Sequence, residues 1–249
     1  MKKNIGNKSK QYYFFCSLPR SGSTYLSSVL NQSKQIQVSA NSILPDILFQ
    51  LDSMKQTEHF LNFPYHQGID NLINNCFSTY YQNINTKCIL DKSVWGTPYN
   101  LNLLKKIFKE RKFLILTRPL VDCLASFIKI EKPKNVSKRC SELMNKEYGV
   151  FGKSIWSIIN LIHNKENYLK INYYNLLENT DDQIKKIFNF FDLQHESLNT
   201  TNIKSFNFAD TQYNDNILKG NFHELKKSEY KPSDFLPRKI IEEYKNIII

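Results

Sequence analysis

The sequence is poor in the residues that mark several protein classes. It has five cysteines in 249 residues, an odd number with no Cys-x-x-Cys pair. Neither a zinc site nor a disulfide framework is expected, and a reducing compartment is the simpler setting. No apolar run approaches the roughly 18 residues of a membrane span. The run "YYFFCSL" (12–18) is too short for a secretion-signal core and ends in Pro-Arg, without a small-residue cleavage site. A cytoplasmic protein is expected. The five histidines form no spaced pair, so no metal site is expected. Glycine and proline are few, at 7 and 8, and there is no low-complexity tract or internal repeat.

Apolar residues make up 41% and aromatics 13%, enough for a folded core. One domain spanning 1–249 is expected, with the polar, basic residues 1–10 as a flexible arm. The net charge of +11 favours anionic partners. Its lysines are spread along the chain and form no dense block, which argues against a nucleic-acid-binding tail.

Apolar runs predict strands at 12–17, 36–39, 87–90, 112–117 and 168–173. Helical periodicity predicts helices at 22–32, 99–110, 119–129 and 181–192, with a short one near 237–247. Pro119 is expected at the first position of its helix. Residues 41–86 read as helices and loops, and the chain after 200 as irregular. Alternating strands and helices predict an α/β fold, a three-layer αβα domain with a mostly parallel sheet.

In "YYFFCSLPRSGSTYLSSVLNQ" (12–32) a buried strand turns sharply into an amphipathic helix. Such a junction offers unpaired N–H groups and the positive end of a helix dipole to an anion. Gly22 permits positive φ and close approach of a ligand. Ser21, Ser23 and Thr24 add hydroxyls, and Arg20 a forked cation. The loop is not a Walker A motif, because no Lys follows Gly22. The second signal is "KFLILTRPLVDCLASF" (112–127). A strand delivers Arg118 at its end, and Ser126 follows two helical turns on, so both can converge on one phosphate. Asp122 reads as a dipole partner or a brace for an Arg.

"LPRSGSTYL" and "LILTRPLVDCLASF" together resemble the two donor-binding motifs of the sulfotransferase family. "ILDKSVWGTPYNLNLL" (89–104) is similar to that family's Asp-Lys-Ser segment. "INYYNLLENTDDQIKKIFNFFDL" (171–193) resembles its Tyr-acidic-acidic-Leu segment and following helix. The resemblance covers most of residues 12–193 and is closer to bacterial and carbohydrate-type members. It departs from the family pattern at Arg20, where many members carry Lys, and at Pro119, which follows Arg118 directly. Tyr174 and Asn175 also stand where an acidic pair is usual.

The resemblance implies a P-loop NTPase-like fold and a metal-independent transfer of sulfuryl from 3′-phosphoadenylyl sulfate (PAPS) to an acceptor hydroxyl or amine. It implies that Arg20, Ser21, Gly22, Ser23, Thr24 and Tyr25 hold the 5′-phosphosulfate. Arg118 and Ser126 would hold the 3′-phosphate, with late positive charge from Lys226 and Lys227, and Tyr173 would lie near the adenine. Lys92 would reach the sulfuryl oxygens. Two candidates remain for the base that deprotonates the acceptor, Asp46 after the second strand and His223 in "GNFHELKK". Segments 41–86 and 195–235 are expected to line the acceptor pocket. Rival readings of the same residues are a P-loop-type kinase, which would need ATP and Mg²⁺, and a non-catalytic nucleic-acid-binding protein. The resemblance implies no nucleic-acid partner, and it leaves the acceptor and the oligomeric state open.

Overall fold

The computed structural model describes residues 10–208, 211–213 and 222–247. Five parallel strands form the central sheet: β1 (Gln11–Ser17), β2 (Ile36–Asn41), β3 (Cys88–Lys92), β4 (Phe113–Thr117) and β5 (Tyr168–Asn172). Their order is β2-β3-β1-β4-β5, with β1 paired to both β3 and β4. The expected neighbourhood of strands 12–17 and 112–117 is thus observed. A short antiparallel pair, β6 (Phe206–Phe208) and β7 (Thr211–Tyr213), stands apart.

Strand alternation builds two cores. Phe14 and Cys16 of β1 face one side, where they pack with Trp95, Phe113, Ile115 and the helices of that layer. Those helices are α2 (Leu44–Ser53), α4 (His66–Tyr80), α5 (Pro98–Ile107), α6 (Leu120–Glu131), α7 (Val136–Met144) and α8 (Val150–His163). The short α3 (Glu58–Asn62) lies between α2 and α4 in the chain. Tyr13 and Phe15 face the opposite side and pack on α1 (Ser23–Leu30), α9 (Tyr173–Glu178) and α10 (Thr180–Phe190). A final helix, α11 (Arg238–Tyr244), buries Ile240 in the first core. The result is the expected three-layer αβα fold.

Several sequence expectations are adjusted. Pro119 is the N-cap residue of α6, not its first helical residue, and the helix begins at Leu120. Tyr173 opens α9 instead of closing β5. Helices α7 and α8 had no counterpart in the pattern reading. Of the expected N-terminal arm, residues 1–9 lie outside the described residues, whereas Lys10 is anchored by donating to the Tyr81 carbonyl at 2.6 Å.

In this strand order the chain crosses from one side of β1 to the other between β3 and β4. Open α/β sheets bind ligands outside the carboxyl ends of strands at such a reversal. The ends of β1, β3, β4 and β5 deliver Pro19–Gly22, Lys92, Arg118 and Tyr173 to one edge of the sheet.

Candidate active site

The β1–α1 loop is tightly wound. Ser21 is fully buried, and both its backbone N–H and its hydroxyl donate to the Leu18 carbonyl, at 3.3 and 2.7 Å. That hydroxyl closes the turn, so it is not the ligand donor expected from the sequence. Gly22 takes φ 88°, and a Cβ there would meet Leu225 and Tyr173 at 3.0 Å. Arg20 also sits at positive φ, 64°, a conformation disfavoured for a residue with a Cβ. Gly22 caps α1 without a side-chain hydrogen bond. The N–H groups at the start of α1 therefore have no capping side chain.

Tyr25 belongs to the core. Its ring is 1% exposed and its hydroxyl donates to the Thr200 carbonyl at 2.8 Å. What it can offer a ligand is its backbone N–H, in the first turn of α1.

Arg118 and Ser126 converge with Arg20. Arg20 Nε donates to Ser126 Oγ at 3.2 Å, and Arg118 Nη1 donates to the Arg20 carbonyl at 3.0 Å. Arg118 Nη2 donates to Ser228 Oγ at 2.7 Å, and its guanidinium lies 4.4 Å from the centre of the Tyr173 ring. Only 7% of Arg118 is exposed, and its buried Nε has no hydrogen-bond partner among the described residues. Burial lowers the Arg20 pKa from its usual value, yet a guanidinium stays charged. Tyr173 donates its hydroxyl to the Lys226 carbonyl at 2.7 Å. With one face under Arg118, Tyr173 holds the arginine and ties down the segment around Lys226.

Asp122 is a brace, though not for an arginine. It accepts a hydrogen bond from Tyr174 at 2.5 Å and so links α6 to α9. That bond gives Tyr174 a role where the family's acidic residue would stand.

These residues line a cavity of about 430 Å³. Arg20, Gly22, Ser23, Thr24, Arg118, Ser126, Tyr173, Lys226 and Lys227 all border it. Lys226 is exposed and paired to Glu224 at 2.6 Å. Sequence reasoning missed Lys129, Ser228 and Tyr230, which border it too. Lys129 was findable, since it lies one helical turn after Ser126, and its ammonium sits 4.5 Å from the Tyr230 ring centre.

A second cavity, also about 430 Å³, lies on the other side of the loop. It shares Arg20, Ser23 and Thr24 with the first. Its further walls include Asn41, Lys92, Phe127, Val150 and Lys153. Lys92 is partly buried at the end of β3, and burial pushes its pKa down to about 8. Of segments 41–86 and 195–235, expected around the acceptor, Asn41 alone among the described residues borders this cavity, and residues 209–210 and 214–221 lie outside the described residues. Helices α2 and α4 instead pack into the first core.

The two candidate bases are not brought to either cavity. Asp46 is exposed in the first turn of α2 and borders neither. His223 is held by a 2.5 Å contact from Nδ1 to the Ile203 carbonyl and borders neither. Among the described residues no His, Cys, Asp or Glu cluster could hold a metal ion, and no helix is long and apolar enough to cross a membrane.

Three solved structures share the fold. The sulfotransferase domain from the curacin biosynthetic pathway is 19% identical, with a TM-score of 0.54 over 76% of each chain. The sulfotransferase domain of the Synechococcus PCC 7002 olefin synthase is 17% identical, with a TM-score of 0.52 over 79% of this chain and 78% of that one. A sulfotransferase from Alicyclobacillus acidocaldarius is 10% identical, with a TM-score of 0.53 over 76% of this chain and 84% of that one. No curated protein sequence matches. The model described as "Sulfotransferase family" matches residues 13–197, a span that holds the β1–α1 loop, Lys92, Arg118, Ser126 and Tyr173. The chain belongs to the sulfotransferase family.

Proposed function

We propose that the protein moves the sulfuryl group of PAPS to a hydroxyl or amine of an acceptor seated in the second cavity. The observation that carries this reading is the wall of Arg20, Ser23 and Thr24 that the two cavities share. A group held at that wall is open to both chambers, as a direct transfer between two bound substrates requires.

The first cavity suits a nucleotide phosphorylated at two ends. The N–H groups of Gly22, Ser23, Thr24 and Tyr25, together with Arg20, fit a 5′-phosphosulfate. Arg118, Ser126 and Lys129 fit a 3′-phosphate, aided by Lys227. Lys92 approaches the shared wall from the acceptor side, where charge builds on the sulfuryl oxygens during transfer. The side chains of the protein supply the cations this chemistry needs.

A thermal-shift panel tests the donor. The bisphosphate product PAP, without Mg²⁺, should stabilise the protein by about 2.7 kcal/mol at a hundredfold excess over Kd. For a chain of this size that is a rise of roughly 5–10 °C in Tm. AMP should do much less. Equal shifts with AMP and PAP would remove the 3′-phosphate assignment. A larger shift with ATP and Mg²⁺ would favour a kinase. A response to an oligonucleotide alone, steep in salt, would favour nucleic-acid binding.

A further inference from the structure

We infer that Lys92 is the general base of the transfer, its side-chain amine taking the proton of the acceptor hydroxyl. This rests on reading the second cavity as the acceptor site. Among the described residues that border the cavity there is no carboxylate, imidazole, thiol or phenol. Its titratable side chains are Arg20, Lys92 and Lys153. A guanidinium cannot serve as a base. Lys153 is exposed on the first turn of α8, whereas Lys92 is drawn into the sheet edge.

The backbone of Lys92 is fixed on both sides. Its N–H donates to Ser39 Oγ at 2.8 Å, and it pairs in register with Phe15 of β1 and Asn41 of β2. Its ammonium has no hydrogen-bond or ion-pair partner among the described residues. The neighbouring carboxylate, Asp91, points to the other face of the sheet. There it accepts from Tyr81 at 2.5 Å and from Trp95 at 2.8 Å. The groups that share the cavity with Lys92 are thus Arg20 from the loop and Lys153 from α8, both cations. Burial pushes Lys92 down to about 8, within the range suited to proton abstraction near neutral pH.

In the step itself, the lone pair of Nζ accepts the acceptor O–H proton as that oxygen forms a new bond to sulfur. The bond from sulfur to the 5′-phosphate oxygen breaks, and its electron pair stays on the phosphate. The products are the sulfate ester, PAP and a lysine ammonium, which returns its proton to water. The ammonium forms on the acceptor side, near the sulfuryl oxygens, so one side chain abstracts a proton and then faces the charge on those oxygens.

Two measurements test this. The first is a pH titration of Lys92 by NMR on protein carrying ¹³Cε-lysine, assigned with Lys92→Arg. Lys92 should titrate near 8 in free protein, well below ordinary lysines near 10.4. The second follows PAP release from PAPS with water and with phenol as probe acceptors. The wild-type rate should climb about tenfold per pH unit and level off near pH 8. Lys92→Arg keeps the cation but loses the base, so its rate should be flat in pH and lower by roughly 10²–10⁴. Its PAP affinity should be unchanged. A Lys92 that titrates above 10, or a Lys92→Arg protein that keeps the rising limb, overturns the inference. If wild-type protein fails to bind PAP, the reading of the first cavity is what falls, and the NMR titration of the free protein still decides the state of Lys92.

Discussion

Replacing Arg118 with alanine should weaken PAP far more than AMP. The side chain is almost wholly enclosed, between Tyr173 on one side and the Arg20 carbonyl and Ser228 on others. Two of its nitrogens, Nη1 and Nη2, each donate once within the protein and each keep a second N–H. A phosphate that meets this guanidinium gains a charge-assisted hydrogen bond in a poorly hydrated place, about 1.5–3 kcal/mol for each bond. Loss of one or two such bonds predicts a deficit of roughly 2–4 kcal/mol, or about 30- to 1000-fold in Kd. AMP lacks the 3′-phosphate and should lose under tenfold. Calorimetry with both ligands, without Mg²⁺, measures the difference directly. Arg118→Ala also frees the Arg20 carbonyl and exposes one face of Tyr173, so a general loosening of the loop is the competing explanation. It would weaken PAP and AMP by the same factor. That outcome would refute a direct phosphate contact and leave Arg118 as scaffold for the loop.

Two further predictions concern the fold beneath the site. Gly22→Ala forces a Cβ into φ 88° and to 3.0 Å from Leu225 and Tyr173. It should cost about 1–2 kcal/mol of stability in urea unfolding, and more in PAP affinity, than the same change at an exposed helical site. Asp91 is fully buried, and burial raises its pKa to about 6. An acid raised in the folded state binds more protons there than when unfolded, so its stabilising share is complete below about pH 4 and is lost as pH rises through 6. Unfolding free energies of the wild type should therefore fall relative to Asp91→Asn between pH 4 and 6. Parallel curves for the two proteins across that window would show that Asp91 does not titrate there.

The central strands were legible because they are continuous apolar runs. Phe14–Cys16, Ile89–Leu90 and Phe113–Leu116 are buried on both faces of a parallel sheet. Helix α8 carries the same kind of signal, since Phe151, Ile155, Ile158 and Leu161 recur at helical spacing on its buried face while Lys153 is exposed, so its absence from the pattern reading has no physical cause. The β1–α1 loop was legible because Arg20 to Thr24 are consecutive, and the approach of Ser126 to Arg20 and Arg118 because α6 begins two residues after Arg118. Ser228 and Lys153 come from distant elements that only the fold brings in. Asp46 and His223 border neither cavity for a related reason. Asp46 and His223 were chosen for their chemistry, but the direction a side chain faces depends on packing. Lys92 shows the converse. Its residue type suggests an ordinary surface cation, and only its depth at the end of β3 pushes its pKa down to about 8.

The thin partition between the two cavities divides the inheritance of the enzyme. Arg20 of the loop and Ser23 and Thr24 of α1 border both chambers, so a change at any of them alters both. Phe127, Val150 and Lys153 border the second chamber and not the first. Substitutions there would reshape one chamber and leave the walls of the other as they are.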